Sequence, residues 1–71
     1  MIRRGSKVKW KRGDDFVVGK VLETATERMA KTVAGQVITK VGETKNKALY
    51  IEFENGYKTL LLEEEVEKVD G

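Results

Sequence analysis

The 71-residue chain has no cysteine, no histidine and no proline, a single serine (Ser6), and five aromatic residues: Trp10, Phe16, Tyr50, Phe53 and Tyr57. Without cysteine and histidine there are no disulfides and no zinc site of the usual kind, and a Cys–His or Ser–His catalytic pair is excluded. The missing cysteine also fits a reducing compartment. No window approaches the ~18 apolar residues of a membrane span. The start, Met1-Ile2-Arg3-Arg4-Gly5-Ser6-Lys7, carries charge with no apolar run behind it, so no signal peptide is expected. A soluble cytoplasmic protein follows. The seven glycines are scattered at turns and form no phosphate-binding loop. Asp14, Asp15 and Glu63–Glu65 have no ligand spacing beside them and read as solvated acids. Neither an enzyme nor a cofactor is expected.

What remains is one small domain with segregated charge. A chain this short buries roughly 60% of its unfolded surface, so its core is thin. The net charge is only +2, yet residues 1–12 hold six Lys/Arg and no acid, and residues 13–27 one Lys against four acids. Residues 28–47 hold five Lys/Arg against one Glu, and residues 48–71 two Lys against seven acids. Antiparallel pairing would bring basic and acidic blocks into cross-strand contact.

Period-2 patterning dominates. Lys7-Val8-Lys9-Trp10-Lys11 alternates strictly, with Val8 and Trp10 inward and three lysines outward. Arg12-Gly13-Asp14-Asp15 is a turn. Phe16–Glu23 is a second strand, in which Gly19 marks a bulge or a sharp bend. Arg28–Val41 is a hairpin around Ala34-Gly35, where a type I turn with a glycine bulge is at least as good as a two-residue primed turn, since alanine tolerates positive φ poorly. Neither of its faces is clearly apolar.

Ala48–Leu62 carries the strongest signal, two strand-like runs around Asn55-Gly56, the pair that best supports a type I′ turn. That turn sets Phe53 opposite Lys58, Ile51 opposite Leu60 and Leu49 opposite Leu62. Leu49, Ile51, Phe53, Leu60 and Leu62 then face the core, while Tyr50, Glu52, Glu54, Tyr57, Thr59 and Leu61 face outward. In the tail, one helical turn at Glu63–Glu65 followed by a closing strand at Val66–Val69 competes with a single longer helix. If the last strand pairs with the first, Glu67 and Asp70 approach Lys7, Lys9 or Lys11.

Several short segments occur in a telling order: Lys9-Trp10-Lys11, Gly19-Lys20-Val21, Thr26-Glu27-Arg28, Gly35-Gln36-Val37-Ile38-Thr39-Lys40, Ala48-Leu49-Tyr50-Ile51 and Asn55-Gly56. In this order and spacing the chain resembles the hypervirulence-associated protein Tudor-domain family from about Gly5 to Val69. It departs from the family pattern at Lys47, where proline is frequent. The strand pattern describes an all-β, small antiparallel β-barrel of five core strands with an additional hairpin near residues 28–41, and the resemblance implies that this barrel is Tudor-like, of the Src-homology-3 type. It implies no particular activity.

Two functional readings compete. The first is a binding module for an unidentified protein partner, centred on Tyr50 and Leu61 facing each other on the outer sheet, with Tyr57 and Ile38 beside them; the equal alternative is that the Met29/Ile38 hairpin folds over Tyr50 and Leu61. The second is weak, salt-sensitive binding of RNA or DNA through Arg4, Lys7, Lys9, Lys11 and Arg12, joined by Arg28 and Lys31 of the hairpin. Phe16 and Tyr57 stand at strand starts beside turns, where one reading has them border a shallow pocket with Trp10; core and rim packing is the simpler role for these rings. A monomer or a weak homodimer is compatible with either reading.

Overall fold

The computed structural model of the chain describes residues 2–54 and 56–69. The described residues form strands β1 (Lys7–Arg12), β2 (Asp15–Ala25), β3 (Arg28–Val33), β4 (Gln36–Val41), β5 (Ala48–Phe53) and β6 (Tyr57–Leu62), a 3₁₀ turn at Glu63–Glu65, and β7 (Glu67–Lys68). All ladders are antiparallel. Five strands make one sheet in the order β6-β5-β2-β1-β7, and β3 and β4 pair only with each other. This is the expected all-β architecture of five core strands plus a hairpin. The five-stranded sheet curls into a small Tudor-like barrel that stays open as a ladder, because β6 and β7 are joined by the 3₁₀ turn rather than paired.

Strand β1 follows its alternation. Val8 is fully buried, Trp10 is half-buried, and Lys7, Lys9 and Lys11 leave from the opposite face. Gly13 and Asp14 connect it to β2, with the positive φ at Gly13. The bulge in β2 lies at Leu22 and not at Gly19. Val21 pairs with Ile51 and Glu23 with Tyr50, so Leu22 has no partner in the ladder and the alternation inverts beyond it. Gly19 has a different task. A Cβ there would meet Ile51 Cγ2 at 2.5 Å, the Glu52 carbonyl oxygen at 2.9 Å and the edge of the Trp10 ring at 3.1 Å, so glycine is what lets these groups close over the strand. Just before β1 the chain lies against the bulge, with the Gly5 N–H donating to the Val21 carbonyl at 2.8 Å and the Val21 N–H to the Ser6 carbonyl at 2.9 Å. This carries Ile2 into the core.

The β5–β6 hairpin departs from the register that Asn55-Gly56 suggests. Phe53 pairs with Tyr57, so three residues connect the strands instead of two, with positive φ at Glu54 and Gly56; Asn55 itself lies outside the described residues. The whole of β6 is therefore displaced by one position. Leu61 stands opposite Leu49, Thr59 opposite Ile51, and Leu60 opposite Tyr50. Leu61, rather than Leu60 and Leu62, packs against the barrel core of Ile2, Val8, Val21, Leu49 and Ile51, with Trp10 and Val66 at its margin.

The physical reason is a second core on the other side of the same strands. Met29, Ala48 and Leu60 form a buried cluster flanked by Ala25, Ile38, Tyr50 and Leu62. Hairpin β3–β4 lies over the outer face of β5–β6 and closes this layer, and the opposed small residues Ala25 and Ala48 leave room for Met29. With both faces of β6 covered, Leu60-Leu61-Leu62 behaves as the continuous apolar run of a strand buried on both sides. The hairpin turns through Ala34 (φ +51°) and Gly35 (φ +80°) between the paired Val33 and Gln36. That is a two-residue type I′ turn, with alanine accepting the left-handed conformation.

The tail forms one 3₁₀ turn and then a short strand, not a long helix. Its acids hold the fold together. The Glu63 carboxylate accepts from the Lys47 N–H at 2.8 Å, the Glu65 carboxylate from the Leu62 N–H at 2.9 Å, and the Glu64 N–H donates to the Asn46 side chain at 3.0 Å. The reading of Glu63 and Glu65 as merely solvated acids is thus corrected, while Glu64 takes part only through its backbone N–H and its side chain stays exposed. Strand β7 pairs with β1 and brings Glu67 to 3.8 Å from Lys9; Asp70 lies outside the described residues.

Candidate nucleic-acid interface

Cross-strand register decides which side chains share a surface. On the outer face of β1–β2, Lys7 stands opposite Lys20, Lys9 opposite Val18 and Lys11 opposite Phe16. Four cations thus surround two apolar side chains that the fold leaves uncovered: Phe16 is 63% exposed and Val18 53%. The Lys9 ammonium lies 5.4 Å from the centroid of the Phe16 ring, close enough for cation–π attraction. Its other neighbour is Glu67 at 3.8 Å, a well-hydrated pair worth little.

The remaining lysines are less well served. Among the described residues no ion pair within 4 Å involves Lys7, Lys11 or Lys20. Lys7 and Lys20 are like charges directly opposed in a ladder, an arrangement that destabilises a sheet. On its other side Lys20 faces Glu52 across β5, and Glu52 pairs with Lys58 at 3.8 Å. A shallow depression of about 570 Å³ runs from Lys7, Val18 and Lys20 toward Glu54 and Gly56. An anion seated on this face would relieve the lysine repulsion, and an unpaired planar group could lie on Phe16.

The other basic residues of the sequence reading are distributed elsewhere. Arg4 is exposed in the turn before β1. Arg12 belongs to the inner face, where its guanidinium lies 5.7 Å from the Phe53 ring centroid. Lys31 forms an ion pair with Glu23 and lies 5.0 Å from the Tyr50 ring, and Lys40 pairs with Glu65 at 3.3 Å. Arg28 stands opposite Val41 at the base of the hairpin. The hairpin cations Arg28 and Lys31 therefore do not continue the β1 lysine face. Lys20, Val18 and Phe16, which sequence reasoning did not assign to it, complete that face instead. Their signal was the alternation Phe16-x-Val18-x-Lys20, masked by the apolar run in which it sits.

The proposed protein contact is rearranged as well. Tyr50 and Leu61 point to opposite faces of the hairpin, Tyr50 toward the second core and Leu61 toward the barrel core. Ile38 also packs against the second core, as part of the hairpin that covers Tyr50. Tyr57 stands apart, 67% exposed beside Phe53 at the hairpin end. These four residues do not converge on one surface. Phe16 leaves β2 from the face opposite Trp10, yet the two rings border one shallow depression of about 220 Å³ beside Glu64–Glu67; Tyr57 does not line it.

No helix among the described residues is long and apolar enough to cross a membrane. No curated protein and no solved structure matches the chain. One family model does match, described as the Tudor domain of hypervirulence-associated proteins, and it covers residues 5–66, from the turn before β1 through the 3₁₀ turn. Tudor-like domains are in general non-catalytic binding modules. With most of its length matched and its strands in a small open barrel, the chain belongs to the hypervirulence-associated Tudor-domain family.

Proposed function

We propose that this domain is a non-enzymatic binding module that holds single-stranded nucleic acid on the outer face of β1–β2. The observation that carries this reading is the cluster of Lys7, Lys9, Lys11 and Lys20 around the uncovered Phe16 and Val18. Lysines at such a surface neutralise phosphates and release counterions, whereas an exposed ring stacks on a base that is not already paired. A duplex would satisfy the lysines but leave Phe16 without a partner. A protein contact centred on Tyr50 and Leu61 is not carried forward, since the two side chains serve different cores.

Three or four lysine–phosphate contacts at ~0.7 each give a log–log salt slope of about −2 to −3 for a single strand. Affinity should then fall roughly 20- to 50-fold between 50 and 200 mM salt. Fluorescence anisotropy with a labelled oligothymidylate tests this directly. Replacing Lys7, Lys11 and Lys20 together by glutamine should flatten the slope by about 2. An unchanged slope in that variant would remove the β1–β2 face from the reading.

A further inference from the structure

At the end of the barrel, on the inner side of the sheet, three rings meet. Trp10 packs edge-on against Phe53 with centroids 5.4 Å apart, and Tyr57 lies 6.1 Å beyond Phe53. Together with Val33 and Ala34 at the tip of the β3–β4 hairpin, they line a half-open groove of about 610 Å³. Arg12, Glu54, Lys58 and Thr59 give it a polar rim. Trp10 reaches the groove from the margin of the barrel core, whereas Tyr57 belongs to neither core and is too exposed to be filling one.

We infer that this groove receives one unstacked base of the nucleic-acid strand whose phosphates lie on the β1–β2 lysines. The inference rests on the function proposed above and adds a second, base-selective subsite to it. Charge selects the ligand class. The Arg12 guanidinium already lies over the Phe53 ring at 5.7 Å, and Lys58 stands on the same rim, so an incoming cation would meet like charge. A planar group attached to an anionic backbone meets the reverse: rings to stack on, the Arg12 guanidinium for the phosphate, and the Glu54 carboxylate and Thr59 hydroxyl for the base edge. The volume lies within the range of small-molecule sites.

Continuity supports the same occupant. Phe53 and Glu54 border both this groove and the shallow depression that contains Lys7, Val18 and Lys20. A strand lying along the lysines therefore reaches the groove across Phe53 and Glu54.

Trp10 is the only tryptophan, so its emission reports on the groove without a label. The experiment titrates the protein with an oligothymidylate and, separately, with inorganic polyphosphate, which offers the same charge and no base. The oligonucleotide should quench Trp10 emission, and polyphosphate should bind without quenching. Tyr57→Ala should weaken oligonucleotide binding at least about fivefold and leave polyphosphate affinity within twofold, while Tyr57→Phe, which keeps the ring, should bind nearly as the parent does. If Tyr57→Ala binds the oligonucleotide as the parent does, or Trp10 is not quenched, the base subsite is wrong even where the lysine variants still lose binding. If the Lys7/Lys11/Lys20 variant binds as well as the parent, the underlying lysine reading fails. If the parent binds no oligonucleotide at 50 mM salt, both fall.

Discussion

Truncating Leu60 to alanine tests the two-core arrangement, because the register of β6 decides which layer that side chain supports. Leu60 is 2% exposed and clusters with Met29 and Ala48 beneath the β3–β4 hairpin. A buried Leu→Ala change costs about 2–5 kcal/mol through lost transfer energy and the cavity left behind. Chains of this size have roughly 3.5–10 kcal/mol of total stability, so a loss of about 3 kcal/mol is severe but survivable. It should lower the melting temperature by roughly 12–24 °C in a circular-dichroism melt. The location of the damage matters more than its size. A two-stranded hairpin is marginal by itself, so loss of its packing should open β3–β4 first. Amide hydrogen exchange should therefore show lost protection at Lys31, Val33, Ile38 and Lys40, whose N–H groups lie in the bonded pairs of the hairpin, with Val8, Val21 and Ile51 protected up to the global limit. Leu61→Ala should do the reverse, loosening the barrel core and sparing the hairpin. If Leu60→Ala instead deprotects Val8, Val21 and Ile51 and leaves β3–β4 unchanged, the register and the second core are wrong.

Two further predictions concern the backbone. Gly19→Ala forces a Cβ against Ile51, the Glu52 carbonyl and Trp10, and should destabilise the domain by about 1–3 kcal/mol in a urea titration, with a visible change in Trp10 emission. A loss below ~0.5 kcal/mol would mean that the strands do not close over that glycine as described. Ala34→Asn should stabilise by about 1 kcal/mol, since asparagine accepts the left-handed region that alanine resists and Asn-Gly is the favoured type I′ pair. A decrease in melting temperature for this variant would argue against a two-residue turn at Ala34-Gly35.

How much of this was legible in the sequence differs element by element. Strand β1 declared itself, because Val8 and Trp10 alternate with lysines and only one face is buried. The one-turn helix before a closing strand was also readable, although the structural use of Glu63 and Glu65 as acceptors for Lys47 and Leu62 amides was not. Those bonds depend on tertiary proximity. The β6 register was misread for a specific reason. Period-2 reasoning assumes one apolar face, but Leu60-Leu61-Leu62 serves two cores, and only the docking of β3–β4 reveals the second. Turn chemistry misled at β5–β6, where three residues connect the strands, and left two turns open at Ala34-Gly35, of which the two-residue one forms. Strand pairing and packing outweigh the roughly 1–2 kcal/mol of left-handed strain at Ala34.

The same limit governed the candidate site. Lys7, Lys9 and Lys11 were found because they share a strand and a period. Lys20, Val18 and Phe16 emerged only when the β1–β2 register set them opposite those lysines. Tyr50 and Leu61 were paired by a register one residue out, and so a convincing surface contact became two separate core contacts.

The central claim is that the β1–β2 lysine face carries nucleic acid, and the salt dependence of oligothymidylate binding tests it most directly. The prediction is measurable binding at 50 mM salt with a log–log slope of about −2 to −3, flattened by about 2 when Lys7, Lys11 and Lys20 are replaced by glutamine. Absence of binding at 50 mM salt, or a slope that the triple replacement leaves unchanged, would contradict it.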